Sequence, residues 1–123
     1  MSSLKRSIKA SEHGLEVITG SFAPNGSSAL DQSSVKGVGF SVAYTSTGLY
    51  TITLQDVYAS LVSATATFQM ATATDVKPQF GAYVAASKTL VLRSIAVASV
   101  TDIAANANNR ISFVLVLKKS DVK

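Results

Sequence analysis

The stretch GVGFSVAYTSTGLYTITLQD, residues 37–56, holds two runs in which apolar and polar side chains alternate on either side of TSTG. Such alternation places every second side chain on the same face of a pleated strand. The shared faces of the two runs consist of Phe40, Val42 and Tyr44, and of Tyr50, Ile52 and Leu54. Gly48 can take the left-handed conformation that a type I turn with a following bulge requires. The stretch therefore predicts a β-hairpin.

Similar patterns recur along the rest of the chain. Strands are predicted at LEVITGSF (15–22), SATATFQMATA (63–73), FGAYVAA (80–86), KTLVLRSIAVASV (88–100) and RISFVLVLKK (110–119). Pro78 is expected to interrupt the pattern before the third of these, and VYASLVSA (57–64) could instead form one helical turn. The segments 23–37 and 102–109 are rich in turn-forming residues.

This spacing of short strands, with no convincing long helix, is typical of an all-β fold. We predict an antiparallel β-sandwich or jelly-roll-like single domain over residues 15–123, preceded by a basic N-terminal arm over residues 1–14. A length of 123 residues suits one domain with its own core. The opening residues have no apolar signal-peptide core, and no apolar run approaches the ~20 residues of a membrane helix. We expect a soluble protein with no membrane partner.

Charge is scarce in this chain and is concentrated at its ends. Charged residues make up 15% of the sequence, against roughly 25% in an average domain. Basic residues cluster in the first and last few positions, among them Lys5, Arg6 and Lys9. Such tails either keep the ends solvated or dock on an acidic partner surface. Nucleic-acid binding is not expected, because neither end carries an aromatic residue or an arginine cluster.

The sequence contains no recognisable catalytic, metal or cofactor motif. There is no cysteine, and the single histidine, His13, cannot build a multi-histidine metal site. The seven acidic residues are scattered and lie mostly at predicted turns. The sequence Gly37-Val38-Gly39 lacks the remaining elements of a phosphate loop and instead favours a bulge or a close backbone contact. We therefore expect no enzymatic activity, no metal and no cofactor.

Two predicted strands are apolar on both faces. An antiparallel sandwich usually exposes one face of each sheet to water, so its strands alternate between apolar and polar residues. Residues 90–100 and 111–117 do not follow that rule. Either loops cover the second face of these strands, or that face contacts another subunit.

Two segments of the chain resemble small structural proteins of tailed bacteriophage particles. They are GFSVAYTSTGLYTITLQDVYASLVSATATFQ and TLVLRSIAVASVTDIAANANNRISFVLVLKKSDV, and the likeness covers roughly residues 37–123. The cores of the likeness are G-F-x-V-x-x-T-x-T-G-x-Y-T-x-T-L and the closing R-I-x-F-V-L-V-L-K-x-S. The resemblance implies a capsid decoration (cement) protein or a head- or tail-fibre module, usually a homotrimer with a β-sandwich or jelly-roll fold.

The expected function is therefore that of a decoration protein, made in the host cytoplasm and located on the capsid exterior. A homotrimer would bridge adjacent major capsid proteins. Lys5, Arg6 and Lys9 are the candidate capsid contacts, and the candidate trimer-interface residues are Ile111, Phe113, Leu115 and Leu117. The alternative is a fibre or receptor-binding module that recognises a host surface. A sugar-binding module would use exposed aromatic residues, and the plausible ones are Tyr58, Phe80 and Tyr83.

Overall fold

The computed structural model describes residues 14–119, which form nine β-strands in two sheets. The strands are β1 (Leu15–Phe22), β2 (Lys36–Gly37), β3 (Phe40–Ser46), β4 (Leu49–Leu54), β5 (Tyr58–Gln69), β6 (Lys77–Val84), β7 (Thr89–Ala96), β8 (Ser99–Val100) and β9 (Arg110–Lys119). A 3-10 turn covers Gln32–Ser34. Within the described range, no helix has the length and apolar character needed to cross a membrane.

All strand pairs are antiparallel. Sheet 1 has the order β2-β1-β9-β5, and sheet 2 has the order β3-β4-β7-β6, with the short β8 also paired to β7. The two sheets pack face to face around a common apolar core. The predicted all-β antiparallel sandwich is confirmed. Of the predicted arm, only Gly14 belongs to the described residues, and its carbonyl accepts a hydrogen bond from Lys119 N at 2.9 Å.

The hairpin predicted from residues 37–56 is present as β3 and β4. Phe40 pairs with Leu54, Val42 with Ile52 and Tyr44 with Tyr50, so the two apolar faces lie side by side. A register shift between Tyr44 and Ser46 marks a bulge before the turn. Gly48 has a φ of 65°, and a Cβ at this position would lie 2.6 Å from Thr101 N. Only glycine fits both the left-handed backbone and this close approach.

The core is formed by the inward faces of the central strands. From sheet 2, Tyr50, Ile52 and Leu54 of β4 are at most 1% exposed, and the alternate residues of β7 are equally buried. Aromatic rings join the two sheets: the centroids of Phe40 and Phe113 are 5.0 Å apart, and those of Phe22 and Tyr50 are 5.1 Å apart. Each large apolar side chain buried in this way stabilises the fold by about 1.5–3 kcal/mol.

The predicted long strand at 88–100 is instead a hairpin of β7 and β8. The chain turns at Val97, which has a φ of 61° and is 90% exposed. Valine rarely adopts positive φ, because its branched Cβ crowds the backbone in that conformation. The turn therefore has no sequence signal of its own. The pairing of Ile95 with Val100 and of Ala96 with Ser99 imposes it.

Two other local predictions differ from the structure. Pro78 does not interrupt a strand but lies inside β6, opposite Ser94. Since β6 is an edge strand, a missing N–H on its outer side leaves no partner unsatisfied. The segment 57–64 forms no helical turn: β5 begins at Tyr58, with register irregularities between Tyr58 and Leu61 and just after it.

The turn-rich segment after β1 closes one side of the sandwich. Pro24 and Leu30 are buried there. Gln32 Nε2 donates to the Val42 carbonyl at 3.2 Å, and Arg110 Nη2 donates to the Ser34 carbonyl at 2.7 Å. Gly37 approaches β1 so closely that a Cβ would lie 2.6 Å from Thr19 O, which confirms the predicted close backbone contact for Gly37. At Gly39 a Cβ would lie 3.7 Å from Ile18 Cδ1, an ordinary contact distance. These contacts cover the core between β1 and β3.

Candidate functional site

The four candidate trimer-interface residues of β9 point into the sandwich. Ile111, Leu115 and Leu117 are 0% exposed and Phe113 is 2% exposed, all of them packed between the sheets of a single chain. Side chains buried in this way are not available to a second subunit, so this surface assignment needs correction. The outward positions of β9 are Ser112, Val114 and Val116, of which Val114 is 42% exposed. Any contact made by this strand with another chain therefore uses its other face.

The candidate capsid contacts Lys5, Arg6 and Lys9 lie outside the described residues, as does His13. Their role stays a prediction. The first described residue, Gly14, lies beside Lys119, which pairs in turn with Tyr58. The described part of the chain thus begins at the end of sheet 1 where β5 starts.

Of the three aromatic residues suggested for sugar binding, one is buried and two are half-buried. Tyr58 is 3% exposed, and its backbone N–H donates to the Tyr83 hydroxyl at 3.0 Å. Phe80 and Tyr83 are half-buried against the core. A carbohydrate-stacking platform needs an open aromatic face, which Tyr58 does not present and which is partly covered at Phe80 and Tyr83.

The outer face of sheet 1 is an exposed surface of small and β-branched side chains. Strand register aligns these residues in rows across β1, β9 and β5. The three rows are Val17-Val116-Ser63, Thr19-Val114-Thr65 and Ser21-Ser112-Thr67. The first two rows contain no charged residue, so water can be removed from them without stripping a charge. The third row is bordered by charge, because Lys36 of β2 pairs with Ser21 and the Arg110 guanidinium donates to the Ser21 hydroxyl. We define these rows as the outer face of sheet 1.

On one side of the sandwich, the edge strands β5 and β6 lie close together across the two sheets. The inward side chains there are only half-buried, although they pack against the core: Leu61, Ala64, Ala66 and Phe68 of β5, and Phe80 and Tyr83 of β6. We call this surface the open seam. Apolar side chains left half-exposed along a whole strand mark a site where a partner can complete the burial.

A cleft of about 440 Å³ opens at one end of the sandwich, between the loop after β5 and the loop before β9. The Asn109 amide, which lines the cleft, already has partners. The Asn109 amide donates to the Ala104 carbonyl at 3.0 Å and accepts from Ala71 N at 2.7 Å. Among residues 14–119, no group of three or more His, Cys, Asp or Glu side chains is placed to hold a metal ion. The Asn109 side chain therefore holds the loop after β5 against the loop before β9.

Asp102 is the acidic residue of this cleft, and two donors occupy one of its carboxylate oxygens. Oδ1 accepts from the Tyr44 hydroxyl at 3.0 Å and from Gly48 N at 2.8 Å. Burial, followed by the hydrogen bond to Asp102, raises the pKa of Tyr44. Burial, together with the charge of Asp102, raises the pKa of Tyr50 to about 12. With both phenols neutral, the Asp102 carboxylate attaches the turn between β3 and β4 to the loop that follows β8.

The sequence indicated the apolar second face of β9 but not the rows that extend across the sheet. The signal was present as Val114 and Val116 between buried neighbours. Alignment of Thr19 with Val114 and Thr65 depends on strand pairings between distant segments, which no local pattern reveals.

A scan against protein-family models, a search of curated proteins and a search of solved structures each found no match to this chain.

Proposed function

We propose that this chain is a structural protein of a tailed-phage particle: a decoration protein that binds the outside of the head and bridges adjacent major capsid proteins. The observation that carries the proposal is the outer face of sheet 1. Its first two rows are uncharged, and Val114 at its centre is 42% exposed. The resemblance of residues 37–123 to small phage structural proteins supports the same function.

The chemistry of this face favours contact with another protein. Serine, threonine and valine side chains are short, so a partner backbone can approach closely, and their burial needs no compensating ion pair. Burial of apolar area contributes about 25 cal/mol per Å², before the costs of association are subtracted. A flat face that binds weakly in one copy becomes effective when several linked copies engage a shell.

Lys5, Arg6 and Lys9 belong to this proposal as the residues that contact an acidic patch of the capsid protein. The homotrimer implied by the resemblance is a separate part of it, which sedimentation of the free protein tests. The fibre-module alternative is less well supported, because Tyr58 is buried and Phe80 and Tyr83 pack against the core.

Co-sedimentation of the purified protein with undecorated phage shells tests the proposal. We expect saturable binding to shells, and a Val114→Glu variant should bind at least about tenfold more weakly, because a buried unpaired carboxylate costs well over 1.4 kcal/mol. Thr53→Glu is the matched control, since Thr53 faces outward from a central strand of the other sheet. Absence of wild-type binding to any shell would overturn the proposal.

A chain lacking residues 1–12 tests the basic residues in the same assay. Reduced shell binding that becomes insensitive to salt is expected, because exposed charge pairs are screened by ions. Full binding by the shortened chain would remove Lys5, Arg6 and Lys9 from the contact surface.

A further inference from the structure

Most sheet edges of this sandwich carry features that oppose pairing with another chain. The outer edge of β1 pairs with the two-residue β2 and carries the charged Glu16 on its inward side. The edge strand β3 has a bulge, and its Val42 carbonyl accepts a hydrogen bond from the Gln32 side chain. The edge strand β6 contains Lys77 and Pro78. Charges, proline, bulges and short strands are the usual means by which sheets avoid edge-to-edge association.

The remaining edge, that of β5, has few such features. With 12 residues, YASLVSATATFQ, β5 is the longest strand of the described part and contains no charged residue, proline or glycine. Its irregularities lie near its beginning, and residues 63–69 pair in continuous register with β9. Between Ala59 and Gln69, the backbone makes no hydrogen bond to any described residue outside the ladder with β9. The outer edge of this segment therefore presents free backbone donors and acceptors.

The open seam adds an apolar surface along the same edge. Ala64, Ala66 and Phe68 of β5 face the core but are only half-buried, whereas the inward residues of the neighbouring β9 are at most 2% exposed. The difference arises because β9 lies between two strands and β5 has a neighbour on one side only. At the opposite side of the sandwich, Pro24 and Leu30 close the equivalent gap.

We propose that β5 of a second copy of this chain pairs antiparallel with β5 along this edge, about a two-fold axis at Ala66. Two four-stranded sheets then form one continuous sheet, and the two open seams cover each other. This inference concerns self-association. It does not rest on the proposed function, which uses the outer face of sheet 1.

The register argues for a second copy as the occupant. Residue 66 is the middle of the regular segment 63–69, and a two-fold axis there places Ala64 opposite Phe68 of the second copy. A small and a large inward side chain thereby face each other, while Thr65 lies opposite Thr67 on the outward side. Each inward residue meets an inward residue, as the pleat demands. Threonine pairs stabilise neighbouring strands, and no like charges are opposed.

The available area suits a weak, reversible contact. A 12-residue strand spans ~40 Å, and the side of a two-layer sandwich, including its side chains, is ~20 Å high. A two-fold axis at Ala66 confines the overlap to residues 63–69, because residues 58–62 would lie opposite residues 70–74, beyond the end of the strand. Overlap limited to residues 63–69 spans ~24 Å and gives ~500 Å² on each copy, within the range of weaker, reversible dimers.

Sedimentation of the full chain over a range of concentrations is the first test. A two-fold contact predicts an assembly with an even number of chains. The assembly is a dimer or, if the homotrimer forms as well, a hexamer in which β5 strands pair between two trimers. A protein that stays monomeric at ~100 µM, or that forms only trimers, would overturn the inference. Shell binding is measured in a separate assay and involves the outer face of sheet 1. Self-association through β5 and shell binding can therefore each be disproved without affecting the other.

A charge exchange at the axis tests the register. Ala66→Lys and Ala66→Glu each place two like charges directly opposite one another, so each variant alone should dissociate at least tenfold more readily. An equal mixture of the two variants should recover association, because lysine then faces glutamate. Ala43→Lys, at an exposed outward position of the edge strand β3, is the control for an added surface charge and should associate like the wild type. A mixture that remains dissociated while both variants are folded contradicts the pairing.

Cross-linking gives a readout that does not depend on weakened binding. The chain has no cysteine, so Ala66→Cys introduces a unique thiol. Opposed Cα atoms in antiparallel strands lie about 4.5–5.5 Å apart, within the range that a disulfide spans. Mild oxidation should yield a covalent dimer of Ala66→Cys and little dimer of the control Ala43→Cys. Equal cross-linking of the two variants, or none at residue 66, rules out this interface.

Discussion

The Tyr44 hydroxyl donates a 3.0 Å hydrogen bond to Oδ1 of Asp102, a residue 58 positions away in the sequence. The same oxygen accepts from Gly48 N at 2.8 Å. The loop after β8 is thereby attached to the hairpin turn between β3 and β4. A second attachment follows immediately, since Thr101 N donates to the Ser94 carbonyl at 2.9 Å and the Ser94 hydroxyl donates back to the Thr101 carbonyl.

Asp102→Ala is expected to destabilise the fold by about 2–3 kcal/mol, because Gly48 N and the Tyr44 hydroxyl both lose a charged acceptor. The free energy of unfolding, measured in urea, checks this value. Asp56→Ala is the control: Asp56 is exposed just after β4, and a surface change of this kind stays within about 0.5 kcal/mol. Equal stability of the two variants would show that the Asp102 contacts contribute nothing.

The two faces of β9 are expected to respond differently to truncation. Leu115 is 0% exposed, so Leu115→Ala should lower the free energy of unfolding by about 2–5 kcal/mol through the cavity it leaves. Val114 is 42% exposed, so Val114→Ala should change stability by less than about 1 kcal/mol. Urea unfolding of the isolated protein compares the neighbouring positions directly. A larger loss for Val114→Ala would mean that the inward face has been assigned incorrectly.

Tyr50→Phe is expected to leave stability at pH 7 unchanged, or to raise it by about 1 kcal/mol. The Tyr50 hydroxyl is buried, and among the described residues it has no hydrogen-bond partner. On folding, this hydroxyl loses its hydrogen bonds to water and gains none in return from the described part of the chain, so its removal takes away an unfavourable desolvation free energy. The ring keeps its contacts with Phe22 and Tyr44. Thermal unfolding is the measurement, and a drop of more than about 1 kcal/mol would show that the hydroxyl is bonded.

High pH should destabilise the wild type more than Tyr50→Phe. Burial, together with the charge of Asp102, raises the pKa of Tyr50 to about 12, from the ordinary value of 10. In the unfolded chain the phenol loses its proton first, so stability is complete below pH 10 and falls as pH rises towards 12. The loss attributable to Tyr50 is at most about 2.7 kcal/mol. Urea unfolding at pH 9, 10 and 11 should show a shallower decline for Tyr50→Phe, and parallel declines would contradict the assignment.

Val97→Gly should stabilise the protein by about 1 kcal/mol. Val97 holds a φ of 61° at the turn between β7 and β8, a conformation that costs a branched residue about 1–2 kcal/mol. Its side chain is 90% exposed, so little packing is lost on its removal. Ala98→Gly, at the next turn position, has no positive φ to relieve and should destabilise slightly. A lower melting temperature for Val97→Gly would contradict this explanation.

The sequence predicted individual strands best where one face is apolar and the other polar. The boundaries of β1 and β9 agree with the predicted 15–22 and 110–119, and the hairpin faces around Gly48 are confirmed. Prediction was wrong at Val97, where a strand-forming residue occupies a turn, and at Pro78, which lies within an edge strand. Both errors arose because strand pairing overrode a local preference.

The candidate surfaces were less predictable than the fold. The scarcity of charge and the two apolar faces of β9 indicated contact with other chains. The predicted interface, however, consisted of Ile111 and the other inward residues of β9, which are buried in the core. Both Ile111 and Val114 are apolar, so composition alone cannot assign one of them to the core. The open edge of β5 also had no signal, since an edge strand and a central strand can share one pattern of residues.

The sequence by itself determined where most strands run and which residues share a face, because the two-residue repeat of a pleated strand is a local property. Only the tertiary structure decided which face of β9 is buried, because that depends on sheet 2 covering one side of it. The tertiary structure also aligned Thr19, Val114 and Thr65 in one row and left β5 at an edge. These relationships arise from pairings between distant segments, in which a shift of one residue exchanges the two faces of a strand.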